Sequence, residues 1–163
     1  MENSFKEILW KQFGGSIDML ENAIKECPEE LWDAESKFWY IAYHTLFFLD
    51  YYITTDPENF SPPKPFSLSE FNPDGEMPER VYSKEELINY LGYCRKKLQN
   101  LIISLTEESS KSRWVNSYRD YSLIEILLYN MRHVQHHAAQ LNLLIRQIGI
   151  EPPDWVSQTK ISL

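Results

Sequence analysis

The stretch Ser122–Gly149, SLIEILLYNMRHVQHHAAQLNLLIRQIG, decides the fold class of this chain. Ser122 followed three residues later by Glu125 is a capping box, which satisfies amide donors that a helix leaves open at its start. Beyond it Leu123, Leu127, Val134, Ala138, Leu141, Ile145 and Ile148 recur at helical spacing and draw one apolar stripe. Gly149, with Pro152 and Pro153 behind it, stops the segment. The spacing predicts one long amphipathic helix whose stripe other elements must cover.

Three of the four histidines ride on that helix, at positions 133, 136 and 137, and the fourth is His44. Residues four apart lie one above the other, so His133 and His137 present two ring nitrogens to one point. At about 100° per residue His137 falls inside the apolar stripe and His133 at its edge, whereas His136 falls outside it. His133 and His136, three apart, form an alternative pair. A third nitrogen from His44 on a facing helix completes a site for a divalent metal. Three neutral imidazoles leave positions for water or substrate, which separates a catalytic site from a closed structural one.

Outward from this helix the chain repeats the same signals. Ser4 with Glu7 reads as a capping box, and Phe5, Leu9, Phe13, Ile17, Leu20 and Ile24 follow at helical spacing up to Pro28. A second helix is expected from about Ser36 to about Thr54, apolar or aromatic on nearly every side. It must be covered all round, by the bundle or by a second copy, and is the candidate homodimer face. Tyr40, Tyr43, Phe47, Phe48, Tyr51 and Tyr52 on it read as core rather than as a substrate pocket. Six prolines then break up residues 56–82, a connection far longer than bundle helices need, and so either a lid over the site or a rigid surface link. Ser83 with Glu86 opens a third helix with Leu87, Leu91, Leu98, Ile102 and Leu105 on its core side, and a polar link around residues 107–112 leads to the last. With no strand pattern, the expectation is an all-α four-helix bundle, one domain over residues 1–163.

A net charge of −8 without any run of Lys or Arg argues against nucleic acid as a partner. The first residues lack a basic stretch followed by an apolar one, and no segment reaches the roughly 18 apolar residues of a membrane span, so neither secretion nor a membrane is expected. Cys27 and Cys94 match no metal-binding spacing and read as free thiols of a cytoplasmic protein. Arg132 and Arg146 read as members of solvated ion pairs.

Two stretches, Ala42-Tyr43-His44-Thr45-Leu46-Phe47-Phe48-Leu49-Asp50 and Arg132-His133-Val134-Gln135-His136-His137-Ala138-Ala139-Gln140-Leu141, resemble the DinB/YfiT-like family, whose bundles carry one histidine on the second helix and an HxxxH pair on the last. The likeness extends over essentially the whole chain through helix order, the long second connection and the spacing of the histidines. It implies a metal triad at His44, His133 and His137, a divalent ion that is usually zinc or nickel, and often a homodimer. The family holds enzymes that use a low-molecular-weight thiol such as bacillithiol or mycothiol, together with members described as metal-dependent hydrolases. The resemblance therefore implies a small-molecule substrate. A metal with an open position holds a thiol as its nucleophilic thiolate at neutral pH. Hydrolysis needs a base for the water's proton, and where a metalloprotease HExxH motif has glutamate this chain has Val134. No carboxylate is required by its spacing to face the metal, although Asp50, Glu125 and the acids of the long connection stay open. That absence favours thiol transfer over hydrolysis, with a non-catalytic, metal-stabilised dimer as the third reading.

Overall fold

The computed structural model describes residues 2–163, and Met1 lies outside them. Four long helices, α1 (Asn3–Glu26), α3 (Phe38–Tyr52), α4 (Lys84–Ser104) and α6 (Leu123–Gln147), form the bundle, with a one-turn helix α2 (Glu29–Trp32) between the first two. Both α4 and α6 pack against α1 and against α3. Going round the bundle, α6 therefore sits between α1 and α3, and the histidine-bearing helices are neighbours. The stripe of α6 is buried at Leu123, Leu127, Val134, Ala138, Leu141 and Ile145. Ile148 is the exception, 45% exposed, because the helix has ended at Gln147 and Gly149 turns the chain away in the left-handed region at φ +82°.

The capping boxes at Ser83/Glu86 and Ser122/Glu125 both form. The one expected at Ser4/Glu7 does not. The first helix starts at Asn3 with Glu2 as its cap residue, so Ser4 sits inside the first turn, where its hydroxyl reaches the Glu2 carboxylate at 3.3 Å. Phe5, near this open end of the bundle, stays 38% exposed.

The link around residues 107–112 is more structured than expected. A one-turn helix α5 (Glu107–Ser110) leads into an antiparallel hairpin of β1 (Arg113–Val115) and β2 (Asp120–Ser122), with Trp114 opposite Tyr121. Three-residue strands are too short to show alternation in sequence. Tertiary anchoring holds this one: Trp114 is buried and its indole N–H donates to the Thr54 carbonyl at 3.1 Å, while Asn116 Oδ1 accepts from the amides of Tyr118 and Arg119.

Most of the apolar surface of α3 is covered within one chain, with Tyr40, Ile41 and Phe48 left half-buried. Phe38, Trp39, Tyr43, Phe47, Tyr51 and Tyr52 are buried. Much of the cover comes from the proline-rich connection, which lays Phe60 against Phe47 (ring centroids 5.3 Å apart) and slots Phe66 between Tyr43 and Tyr90 (5.9 and 4.3 Å). Burying one such ring is worth roughly 1.5–3 kcal/mol relative to leaving it in water, so the connection is held to α3 by packing. Tyr43 donates from its hydroxyl to the Ser67 carbonyl at 2.8 Å, pinning the segment that follows directly over His44.

Beyond Gly149 the tail runs back along α1. The amide of Thr159 donates to the Lys11 carbonyl at 3.0 Å and the Trp10 indole to the Ile161 carbonyl at 2.7 Å. Gly14 makes this approach possible, since a Cβ there would lie 2.5 Å from Thr159 Cγ2. Among the described residues no helix is long and apolar enough to cross a membrane, and Cys27 and Cys94 are free and buried.

Candidate metal centre

On α3, residues on one side of His44 face the core and on the other the connection, and the imidazole emerges between them with its side chain 29% exposed. The neighbouring α6 presents His133 and His137, one turn apart, toward it. The three rings converge: centroids are 5.4 Å apart for His44 and His133, 4.8 Å for His44 and His137, and 4.5 Å for His133 and His137. One nitrogen from each lies within 4.8 Å of the others. The Nε2 atoms of His133 and His137 are 3.1 Å apart. Two nitrogens each about 2.0–2.1 Å from one tetrahedral ion stand about 3.3 Å apart, so the pair is already at ligand spacing.

The outer nitrogens decide which atom each ring turns inward. His44 Nδ1 lies 2.6 Å from Oε2 of Glu70, and an ionised carboxylate only accepts, so Nδ1 carries the proton and Nε2 keeps its lone pair. His137 Nδ1 lies 2.6 Å from Gln140 Oε1, which fixes the same tautomer. His133 Nδ1 is buried without a partner. Burial, and then the neighbouring His137 and His44, pull the His133 imidazole down to about 3, and burial likewise lowers His137 to about 4. Both rings are neutral at physiological pH, the state in which imidazole binds a metal. The donor set thus fits a divalent cation.

Glu70 is the residue that sequence reading did not single out. It belongs to a short turn, Ser69–Phe71, of the long connection, and its side chain is only 4% exposed. Beside it the Tyr40 phenol is pushed up to about 12 by burial and by the Glu70 carboxylate. The other acids left open go elsewhere. Asp50 is fully buried against Lys97 Nζ and the Tyr90 hydroxyl, and Glu125 caps α6 through the Ser122 amide. His136 is exposed and stands outside the trio, so the alternative pair of His133 with His136 is not the one assembled. Arg146 reaches Glu151 at 2.7 Å on the surface, as expected of an ion pair, whereas Arg132 has no acidic partner among the described residues.

A cleft of about 580 Å3 lies between α3, the connection and the hairpin turn, lined by none of the imidazoles themselves but by residues that touch them. Phe48 lines it and also packs on His44 and His133, at 4.8 and 5.8 Å between ring centroids, and Glu70 lines it from the connection. Tyr51 and Tyr52, read from sequence as core, are buried and yet contribute edges to this cleft. A second cleft, of about 610 Å3, lies between α1 and the tail and is lined neither by the histidines nor by the residues packed on them.

No curated protein matches the chain. A family model described as the DinB family matches residues 1–160.

Proposed function

The chain belongs to the DinB family, and on that premise we propose that it is a metal-dependent enzyme that holds zinc or nickel between His44, His133 and His137 and transfers a low-molecular-weight thiol, such as bacillithiol, to a small electrophile. The observation that carries the reading is the convergence of three imidazole nitrogens within 4.8 Å, two of them with their outer N–H already engaged. A divalent ion bound there supplies Lewis acidity and lowers the pKa of a thiol or water at its open position. The chain's own contribution is orientation and dryness. Glu70 and Gln140 hold two rings in the metal-facing tautomer, and Phe48 and Tyr52 pack against His133 and exclude water from one side of it. In the transfer, the sulfur's electron pair forms a bond to the electrophilic carbon while that carbon's bond to its leaving group breaks. The leaving group departs with its electron pair, as chloride does from a chloroalkyl probe, and the thiol proton goes to solvent. The buried, free Cys27 and Cys94 suit the reducing cytoplasm in which such thiols are kept, and a homodimer belongs to the same reading.

One observation favours hydrolysis as the second reading. Oε1 of Glu70 is buried and unpartnered, and a carboxylate beside the imidazoles is the group that hydrolysis requires and that sequence spacing had not supplied. The test sets the two against each other. Zinc-loaded and nickel-loaded protein is given monochlorobimane with bacillithiol, cysteine, glutathione or coenzyme A, and separately p-nitrophenyl esters without thiol. Thiol-dependent turnover that disappears in His44→Ala supports transfer. Metal-dependent ester cleavage with no response to any thiol replaces transfer by hydrolysis, and no turnover in either arm removes the enzyme reading.

A further inference from the structure

We infer that the cleft beside the imidazoles binds a flat apolar molecule carrying a carboxylate, with the carboxylate on Arg119, and that this molecule is the electrophile. The last clause rests on the enzyme reading above, whereas the binding itself does not. Of the six arginines, Arg80, Arg95, Arg113 and Arg146 each hold a carboxylate. Arg119 and Arg132 hold none among the described residues, and of the two Arg119 lines the cleft. Its position is nevertheless fixed. The guanidinium lies 4.9 Å from the ring centroid of Tyr129 and 5.6 Å from that of Tyr52, and one Nη donates to the Tyr129 hydroxyl at 2.8 Å. A guanidinium carries five N–H donors, so the fork that recognises a planar carboxylate through two parallel bonds is held in place and largely unused.

The rest of the cleft sets the shape and orientation of the ligand. Phe48, Tyr51 and Phe71 give it aromatic walls, and a volume of about 580 Å3 is within the range of small-molecule sites. Its two acids, Glu58 and Glu70, both sit on the connection, and Arg119 sits on the hairpin turn. Charge therefore places a ligand's carboxylate at the hairpin end and its apolar body over Phe48, the ring that packs against both His44 and His133.

Calorimetric titration with cinnamate and with its neutral counterpart cinnamamide tests this without any turnover. Cinnamate is expected to bind the wild-type protein at least 10-fold more tightly than cinnamamide. Arg119→Gln is expected to erase that preference while leaving cinnamamide affinity unchanged, and Arg119→Lys, which keeps the charge but not the planar fork, to retain part of it. His44→Ala, which disables the imidazole cluster, is expected to keep cinnamate binding, so failure of the metal reading and failure of this one are separable. Saturating bacillithiol is expected not to compete. Equal affinity for the two probes, no binding of either, or a preference that survives Arg119→Gln overturns the site. Loss of cinnamate binding in His44→Ala moves the carboxylate to the metal, and competition by bacillithiol gives Arg119 to the thiol; either outcome overturns the assignment to an electrophile.

Discussion

Acidifying the metal-free protein from pH 7 to pH 5 perturbs one buried group above all. The His133 imidazole is pulled down to about 3 from an ordinary value of 6.5, chiefly by burial. Between those two values the unfolded chain binds a proton that the folded chain refuses, so stability is full above about pH 6.5 and falls as pH falls, by about 1.4 kcal/mol per unit. By pH 5 the loss from His133 is about 2 kcal/mol. His137, lowered to about 4 but more open to water, adds less than the same arithmetic gives. The lowered carboxylates act at the foot of this window, since Glu86, held down to about 2 by Arg80 and by the Ser83 amide, loses its contribution as pH falls through its ordinary value of 4.5. Asp50, pushed up by burial, works against the fall, equally in the wild type and in His133→Gln, so the comparison between the two cancels it. For a chain of this size, 2 kcal/mol is a fall of about 4–8 °C in Tm. Differential scanning calorimetry of chelator-treated protein at half-unit steps measures it, with His133→Gln as the comparison expected to fall less. A flat Tm from pH 7 to pH 5, or an equal fall in His133→Gln, refutes the picture of a neutral imidazole buried at this site.

The connection is expected to act on metal affinity through Glu70. Glu70→Ala, which leaves His44 Nδ1 without its acceptor, should weaken zinc binding about 10–100-fold in competition with a chromogenic chelator, and unchanged affinity removes the role given to this loop. At the other end of the bundle, Gly14→Ala forces a methyl onto Thr159 and should cost about 1–3 kcal/mol in urea denaturation, with part recovered by adding Thr159→Gly. An unchanged urea midpoint in Gly14→Ala means that the tail does not dock there in solution.

What was legible in sequence is what repeats at short range. The stripe on α6 and the core positions of α4 follow from helical period alone, and the capping boxes at Ser83 and Ser122 from a three-residue spacing. The same spacing misled at Ser4, because a serine followed by an acid looks alike whether it precedes a helix or lies in its first turn. His133 and His137 could be paired from one helix, whereas their meeting with His44 depends on α6 and α3 being neighbours in the bundle. Glu70 was illegible for a different reason. It lies 26 residues from His44 in a connection whose path is set by where Phe60 and Phe66 find cover on α3, and no local pattern encodes that. Arg119 was missed with the hairpin that carries it, whose strands are held by Trp114 and Asn116 rather than by alternation.

The most direct test of the central claim is the metal content of untagged protein, by elemental mass spectrometry, for the wild type and for His44→Ala, His133→Ala, His137→Ala and His136→Ala. Near one equivalent of zinc or nickel in the wild type and in His136→Ala, with metal lost from the other three, is the expected result. Little metal in the wild type and no uptake when zinc or nickel is added would contradict it, leaving three imidazoles packed together for the sake of the fold.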